Sequence, residues 1–457
     1  MTNSSETLVV LGGGSGGYSC AIRAAQLGWT VTLVESGKLG GTCLHEGCIP
    51  TKALLHAAEV ADTVRDGRQF GVEATLDRID MGGVHKYRNS TLDRLHAGLK
   101  GLLARHGVTV VDGHGCYLGN REIGVGNDVY KGDTLVIATG SKPRTLPGVE
   151  LGNRIVTSDQ ALQMNHVPER AIVLGGGVIG LEFASIWASL GAQVTIIEAL
   201  PRLAAAEDSW CSALVERAFK KRKIAVRTGA SLASAVETDD KVVVSLDDGD
   251  ELDADVLLVA VGRVPRTEGI GLETNGVELS DGFVVTDENL QTSVPGVYAA
   301  GDVVRGLQLA HRGFQQGRFI AEHVAGRKPL SVPDSGVPRV TYSRPEIASV
   351  GLTEAAAHEQ FGDVNIATYD LAGNGKSLIL RSSGGIKVVR APADGPIVGV
   401  HMVGDRVSEL IGEAQLIVGW EAVPDDVIPF VHAHPTQNEA LGEVMMALAG
   451  TPLHAHS

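Results

Sequence analysis

Leu8-Val9-Val10-Leu11-Gly12-Gly13-Gly14-Ser15-Gly16-Gly17 is an apolar run that stops on a cluster of glycines. Gly12, Gly14 and Gly17 meet the spacing G-x-G-x-x-G. Ala21, Ala24, Ala25 and Leu27 follow at helical spacing, and Val31 to Val34 is a second apolar run ending on Glu35. The order is strand, glycine turn, helix, strand, acid. Glycines let such a turn close tightly and let a pyrophosphate approach the helix N-terminus. A carboxylate after the second strand can accept hydrogen bonds from a ribose diol. The glycines alone would fit an ordinary strand-to-helix turn; their context favours a dinucleotide site.

The unit occurs twice. Ala171 to Leu174 reads as a strand, and Gly175, Gly177 and Gly180 repeat the glycine spacing. Leu181, Phe183, Ala184 and Ile186 continue as a helix, and Val194 to Ile197 ends at Glu198. In both copies the acid lies 18 positions beyond the third glycine. Each copy also closes alike, with Leu135-Val136-Ile137-Ala138-Thr139-Gly140-Ser141-Lys142-Pro143-Arg144 and Leu257-Leu258-Val259-Ala260-Val261-Gly262-Arg263-Val264-Pro265-Arg266. The expected fold is α/β, with two tandem Rossmann-like dinucleotide-binding domains. From first to closing glycine the copies run 128 and 87 positions, so the first carries 41 extra residues.

The longer copy contains Gly40-Gly41-Thr42-Cys43-Leu44-His45-Glu46-Gly47-Cys48-Ile49-Pro50-Thr51-Lys52. On a regular helix a step of five residues rises about 7.5 Å and turns about 140° past one revolution. Disulfide Cα atoms are rarely more than about 7 Å apart. A Cys43–Cys48 bond therefore needs backbone that departs from helix, which Gly47 and Pro50 permit. A helix is expected from about Thr51, with Leu54, Ala57, Ala58 and Ala61 on one face, in a helical region reaching about His106. Accidental spacing and a zinc site using Cys43, His45 and Cys48 are the plainer alternatives to a redox-active dithiol. No second cysteine pair is present to complete a zinc set.

The chain has 457 residues and a formal net charge of −15, which disfavours nucleic acid and anionic membranes as partners. No apolar run is long enough to span a bilayer. Met1 to Thr7 has no Lys or Arg and no apolar signal core, so a cytoplasmic location is expected. Five cysteines are too few and scattered for a secreted disulfide framework. Cys20, Cys116 and Cys211 read as small buried hydrophobes.

Past the second copy, Pro295-Gly296-Val297-Tyr298-Ala299-Ala300-Gly301-Asp302 leads to a helical stretch near Leu309. Asp302 suits either a ribityl hydroxyl contact or a helix N-cap. From about Pro333 the composition changes: Val337 to Tyr342, Ile386 to Val389 and Ile397 to Met402 read as antiparallel strands, and Val407 to Trp420 as a helix. This third domain ends with His432-Ala433-His434-Pro435-Thr436-Gln437-Asn438-Glu439. The two histidines could be surface residues or a metal pair. Glu439 adds a third reading, a carboxylate that orients an imidazole as general base.

Taken together, the two fingerprints, GGTCLHEGCIPTK, ATGS, the Gly301-Asp302 pair and HAHPTQNE resemble the flavin-dependent pyridine nucleotide–disulfide oxidoreductases of the glutathione reductase family. The likeness spans essentially the whole chain. The ending HAHPT with Glu439 favours the branch that oxidises dihydrolipoamide. Gln437, Asn438 and Gln316 depart from that branch's usual pattern.

The resemblance implies domains at 1–146 (FAD and dithiol), 147–266 (NAD), 267–333 (a central segment completing the FAD domain) and 334–457 (a C-terminal α+β dimerisation domain). It implies FAD against Gly12, Gly14, Gly17, Glu35, Gly41, Thr42, Lys52, Gly115, Ala138, Thr139, Gly140, Asp302 and Ala310. It implies NAD against Gly175, Gly177, Gly180, Glu198 and Gly262. By the same likeness Cys48 lies against the isoalloxazine, Cys43 exchanges with substrate, and Lys52 pairs with Glu182. His434, oriented by Glu439, is the base, and in a homodimer it serves the partner's Cys43. The implied reaction is oxidation of protein-bound dihydrolipoamide by NAD+, with lipoyl domains and the acyltransferase core of 2-oxoacid dehydrogenase complexes as partners. Reduction of a glutathione- or mycothiol-type disulfide is the alternative.

Overall fold

The computed structural model describes residues 6–331 and 333–454. Met1 to Ser5, part of the N-terminal stretch read above, lie outside the described residues. Among the described residues two compact units form: 6–54, 80–144 and 263–331 make one, and 55–79, 145–262 and 333–454 make the other.

The first unit is built on five parallel strands in the order Val297–Ala299, Thr134–Ile137, Thr7–Leu11, Thr30–Glu35, Thr109–Asp112. These strands are near-continuous apolar runs because both faces of the sheet are covered. One face packs on the helix Ser15–Gln26 through Cys20, Ala21 and Ala24. The helix Ala310–Val324 lies close against that helix: a Cβ at Gly317 would come within 2.2 Å of the Gly16 carbonyl oxygen. The other face buries Tyr117 and Ile123, which come from the small antiparallel sheet Gly115–Gly119, Glu122–Val125 and Asp128–Lys131.

The second unit repeats the design. Its five parallel strands run in the order Ala225–Thr228, Gln193–Glu198, Arg170–Leu174, Val256–Val259, Ile155–Val156. The helix Val178–Leu190 is buried along almost its whole length. The same unit holds the C-terminal antiparallel sheet, ordered Arg339–Thr341, Glu346–Gly351, Ile397–Gly404, Gly385–Arg390, Asn365–Asp370. Helices Val407–Gly419 and Glu439–Leu448 cover it through Ile411, Ala414, Leu441 and Val444. Two of these strands, Glu346–Gly351 and Asn365–Asp370, carried no clear sequence signal. The second is exposed at alternate positions and sits at the sheet edge, where apolar patterning weakens.

Three expectations need correction. The helix expected from Thr51 starts at Cys48 and runs to Asp66. Pro50 therefore lies inside its first turn, where a missing N–H costs no hydrogen bond. Cys116 is half-buried, because it alternates along its strand with the buried Gly115 and Tyr117. Asp302 is not the N-cap of the following helix; Leu309 is. Among the described residues no helix is long and apolar enough to cross a membrane.

Candidate active site

The two glycine turns have the same hydrogen-bond plan. Gly12 N–H donates to the Val34 carbonyl at 2.8 Å, and Gly175 N–H to that of Ile197 at 2.8 Å. Glu35 Oε2 accepts from Gly13 N–H at 2.6 Å, as Glu198 Oε2 accepts from Gly176 N–H at 2.6 Å. The other carboxylate oxygens accept from Gly37 and Leu200 N–H, each at 2.7 Å. Each acid is thus held by two backbone donors at the end of its strand.

The glycines divide by role. A Cβ at Gly17 would lie 1.8 Å from the Gly12 carbonyl oxygen, and one at Gly180 would lie 1.9 Å from that of Gly175. These third glycines let helix and strand approach. The middle ones differ: a Cβ at Gly14 or Gly177 would meet nothing within 4 Å. Space is open in front of both helix N-termini, where unpaired N–H groups favour an anion. The cradles fit a pyrophosphate.

In the first unit the dithiol turn is stitched to its cradle. Gly40 N–H donates to the Gly13 carbonyl at 2.9 Å, and a Cβ at Gly41 would fall 2.8 Å from Gly14 Cα. Gly40 and Gly41 hold positive φ of 104° and 57°. The short helix Gly41–His45 then carries Thr42 and Cys43 and breaks at Glu46 and Gly47 before the next helix begins at Cys48. That break is the departure from regular helix that the cysteine spacing demands. Thr51 seals the new helix start by donating its N–H and its hydroxyl to the Gly47 carbonyl, at 3.0 and 2.7 Å.

All five cysteines carry free thiols. Cys43 and Cys48 are unlike each other. A hydrogen bond to Cys48, then burial, then the charge of Cys48 push the Cys43 thiol far up, against the pull of Lys52. Cys48 opens a 19-residue helix, whose N-terminal dipole favours an anion. Cys43 therefore holds its proton more firmly than a free thiol does. His45 Nε2 is engaged by the Leu39 carbonyl at 2.9 Å. Among the described residues no group of three or more His, Cys, Asp and Glu is arranged to hold a metal ion.

Other expected residues of this unit take mixed positions. Asp302 Oδ2 accepts from the Ser141 hydroxyl at 2.6 Å, and Ser141 Oγ accepts from Arg263 Nε at 2.8 Å. The Thr139 hydroxyl donates to the Arg266 carbonyl at 2.6 Å. Ala138 is buried behind Gly12, Gly140 has φ of 72°, and Ala310 opens its helix. Gly115 is accounted for by packing: a Cβ there would strike Leu11 at 2.5 Å. Ser141, Arg263 and Gln316, which accepts from Gly301 N–H at 2.8 Å, were not picked out as site residues. The matching ends of the two repeats were the available signal for the first two, since Ser141–Pro143 and Arg263–Pro265 pair as antiparallel strands.

The second unit holds the remaining candidates. Gly262 has φ of 108° with open space around it. Glu182 is buried on the helix Val178–Leu190 and accepts from Tyr342 N–H at 3.0 Å. His434 Nδ1 lies 2.9 Å from Glu439 Oε1, and Glu439 Oε2 accepts from Thr436 N–H at 2.7 Å. Burial raises the Glu439 carboxyl, but the Thr436 amide, His434 and His432 outweigh it and hold it below the ordinary carboxylate range. A lasting carboxylate on Nδ1 leaves Nε2 as the working nitrogen of a ring that is 80% exposed.

The chain matches the pyridine nucleotide-disulphide oxidoreductase family over residues 6–317 and the dimerisation domain of the same family over 337–445. A dihydrolipoyl dehydrogenase of Bacillus subtilis is 40% identical, with 98% of each chain covered. One from Thermus scotoductus is 39% identical, again with 98% of each covered. Among solved structures, LpdA of Mycobacterium tuberculosis aligns with a TM-score of 0.91 at 25% identity, covering 97% of this chain and 99% of that one. The HOCl-induced flavoprotein disulfide reductase RclA of Escherichia coli, as its Cu(II) complex, aligns at 0.86 and 25%, with 97% and 99% covered. With twin nucleotide cradles, a paired dithiol and likeness of this extent, the chain belongs to the pyridine nucleotide-disulphide oxidoreductase family.

Proposed function

We propose that this protein is a dihydrolipoyl dehydrogenase, oxidising protein-bound dihydrolipoamide to lipoamide with FAD and NAD+. The observation that carries the reading is the dithiol itself, with Cys43 on a short helix tied to the first glycine cradle and Cys48 at the start of the next helix, across the break at Glu46 and Gly47. A dithiol substrate can reduce such a pair at Cys43 with Cys48 as leaving group. Relatives at 39–40% identity with the dihydrolipoyl dehydrogenase name support the substrate.

The thiol chemistry follows from these groups. His434 Nε2 takes a proton from one substrate thiol, since the thiolate is the nucleophile. The thiolate attacks Cys43 Sγ in the oxidised pair; the Cys43–Cys48 bond breaks and Cys48 departs as thiolate. The second substrate thiol attacks the substrate sulfur of the mixed disulfide and closes lipoamide. Cys43 leaves with the proton held by His434, and His434 takes the proton of that second thiol. The Cys48 thiolate keeps its charge at the helix start, with Lys52 one turn on. Bound flavin supplies the coupling of two-electron thiol chemistry to hydride chemistry at NAD+.

FAD is assigned to the first cradle, to Glu35, Gly41, Thr42 and Lys52, and to the Asp302 cluster. NAD is assigned to the second cradle, with Glu198 and Gly262. The protein works as a homodimer in which His434 of one copy serves Cys43 of the other. Its partners are lipoyl domains and the acyltransferase core of 2-oxoacid dehydrogenase complexes, met through an acidic surface. Its setting is the cytoplasm, where thiols stay reduced.

Turnover of dihydrolipoamide with NAD+, set against glutathione disulfide with NADPH, tests the reading. The first should run and the second should not; the reverse would make it a disulfide reductase. His434→Gln should lose most of the first activity. Reduction without NAD+ should give a long-wavelength absorbance from Cys48 that Cys48→Ser abolishes.

A further inference from the structure

The loop that carries His434 is held by a second carboxylate. Glu413 Oε1 lies 2.9 Å from His432 Nε2, and Glu413 Oε2 accepts from Asn438 Nδ2. His432 precedes His434 by two positions, and Asn438 immediately precedes Glu439. One side chain thus grips both ends of the segment from which the base projects. Glu413 sits on the helix Val407–Gly419, which Ile411, Ala414 and Ile417 anchor in the core.

The grip has a built seat. The His432 ring lies against Gly442, where a Cβ would come within 2.9 Å of Nδ1 and 3.1 Å of Cε1. Its side chain is 14% exposed, whereas that of His434 is 80% exposed. Asn438 Oδ1 is buried with no hydrogen-bond partner among the described residues, so its amide is held in place through Nδ2. Inside the segment the Thr436 hydroxyl donates to the Ala433 carbonyl at 2.7 Å, and Asn374 Nδ2 donates to the Thr436 carbonyl at 2.9 Å. His432 also contributes to holding Glu439 ionised.

We infer that Glu413 is a positioning residue for the thiol half-reaction, fixing the His434 segment through His432 and Asn438. The inference rests on His434 being the base. An exposed ring can be placed for proton transfer only through its backbone and its one carboxylate. A displacement of about 1 Å at a reacting group costs on the order of 10²-fold in rate.

Glu413→Ala, prepared as flavin-loaded holoenzyme, should lower kcat/KM for dihydrolipoamide by about 10- to 100-fold. NADH oxidation by a small electron-accepting dye needs neither the thiol substrate nor the base, and should stay within about twofold. Glu413→Gln keeps one acceptor oxygen and one donor, and should recover a substantial part of the loss. Full dihydrolipoamide turnover in Glu413→Ala would overturn the inference. Equal loss of both activities would overturn it too, by showing a general structural role. If Glu413→Ala yields no holoenzyme, the split between the two activities in Glu413→Gln decides in the same way. His434→Gln, run alongside, separates the levels: retained turnover there removes the base reading itself, whereas loss there with none in Glu413→Ala removes only the positioning role.

Discussion

At the scale of single residues, the two nucleotide turns are the same device built twice, and the acids show it best. Glu198 is pinned through both oxygens to backbone N–H groups. Arg202, four positions on, donates to the carbonyls of Ala204, Ala205 and Glu207 and to the Ser212 hydroxyl. A fixed carboxylate accepts from a 2′-hydroxyl and repels a 2′-phosphate. We expect kcat/KM for NAD+ to exceed that for NADP+ by at least about 10²-fold. Equal efficiencies with the two coenzymes would show that Glu198 does not face the ribose. Such positions are legible in sequence because spacing alone locates them. Glu413 is not, since an acid on an exposed helix face looks like any solvated charge until the fold brings His432 and Asn438 to it.

At the scale of elements, the C-terminal sheet carries a polar stripe across four strands. Arg339, Ser349, His401 and Lys387 lie in register on neighbouring strands. Lys387 Nζ is 2.7 Å from Asp208 Oδ1 and also pairs with Glu354, and Arg339 pairs with Glu207 at 3.0 Å. His401 is fully buried; its Nε2 meets the Leu352 carbonyl at 2.9 Å, and its Nδ1 has no hydrogen-bond partner among the described residues. Burial depresses the imidazole below its ordinary value of 6.5, although the Leu352 carbonyl, Asp208 and Glu207 pull the other way.

The unfolded chain therefore takes up this proton at higher pH than the folded one. The contribution is complete above about pH 6.5 and is lost on acidification towards the folded value, at up to about 1.4 kcal/mol per pH unit. Calorimetric midpoints at pH 7.5 and 5.5 should fall less in His401→Gln than in wild type, whatever the offset between them. An equal fall in both would remove His401 as a source of acid sensitivity. No periodicity announces this stripe. Alternation placed these residues on one face of each strand, but only the register shows that the faces coincide.

At the scale of the whole molecule, the order of the fold was the most legible feature. Two fingerprints with acids at equal distance implied two parallel sheets, and both formed with the same hydrogen-bond plan. Less legible was how units draw on distant segments. Residues 55–79, continuous with the dithiol helix, belong with the second nucleotide fold and the C-terminal sheet. There Asp62 Oδ2 accepts from the Ser189 hydroxyl at 2.6 Å and pairs with Arg344 at 2.5 Å. Tertiary partners of that kind leave no local mark in a sequence.

If thiol exchange at Cys43 depends on His434 of the other copy, mixed dimers will show it. Cys43→Ser and His434→Gln homodimers should each be nearly inactive. Differently tagged subunits, exchanged by co-expression and recovered through both tags, give dimers in which one site has both lesions and the other has neither. Random mixing makes about half the dimers mixed, so about a quarter of wild-type activity is expected in the mixture before recovery and about half in the dimers recovered through both tags. A confirmed mixed dimer that stays inactive would contradict that dependence, because each site would then be carrying one lesion of its own.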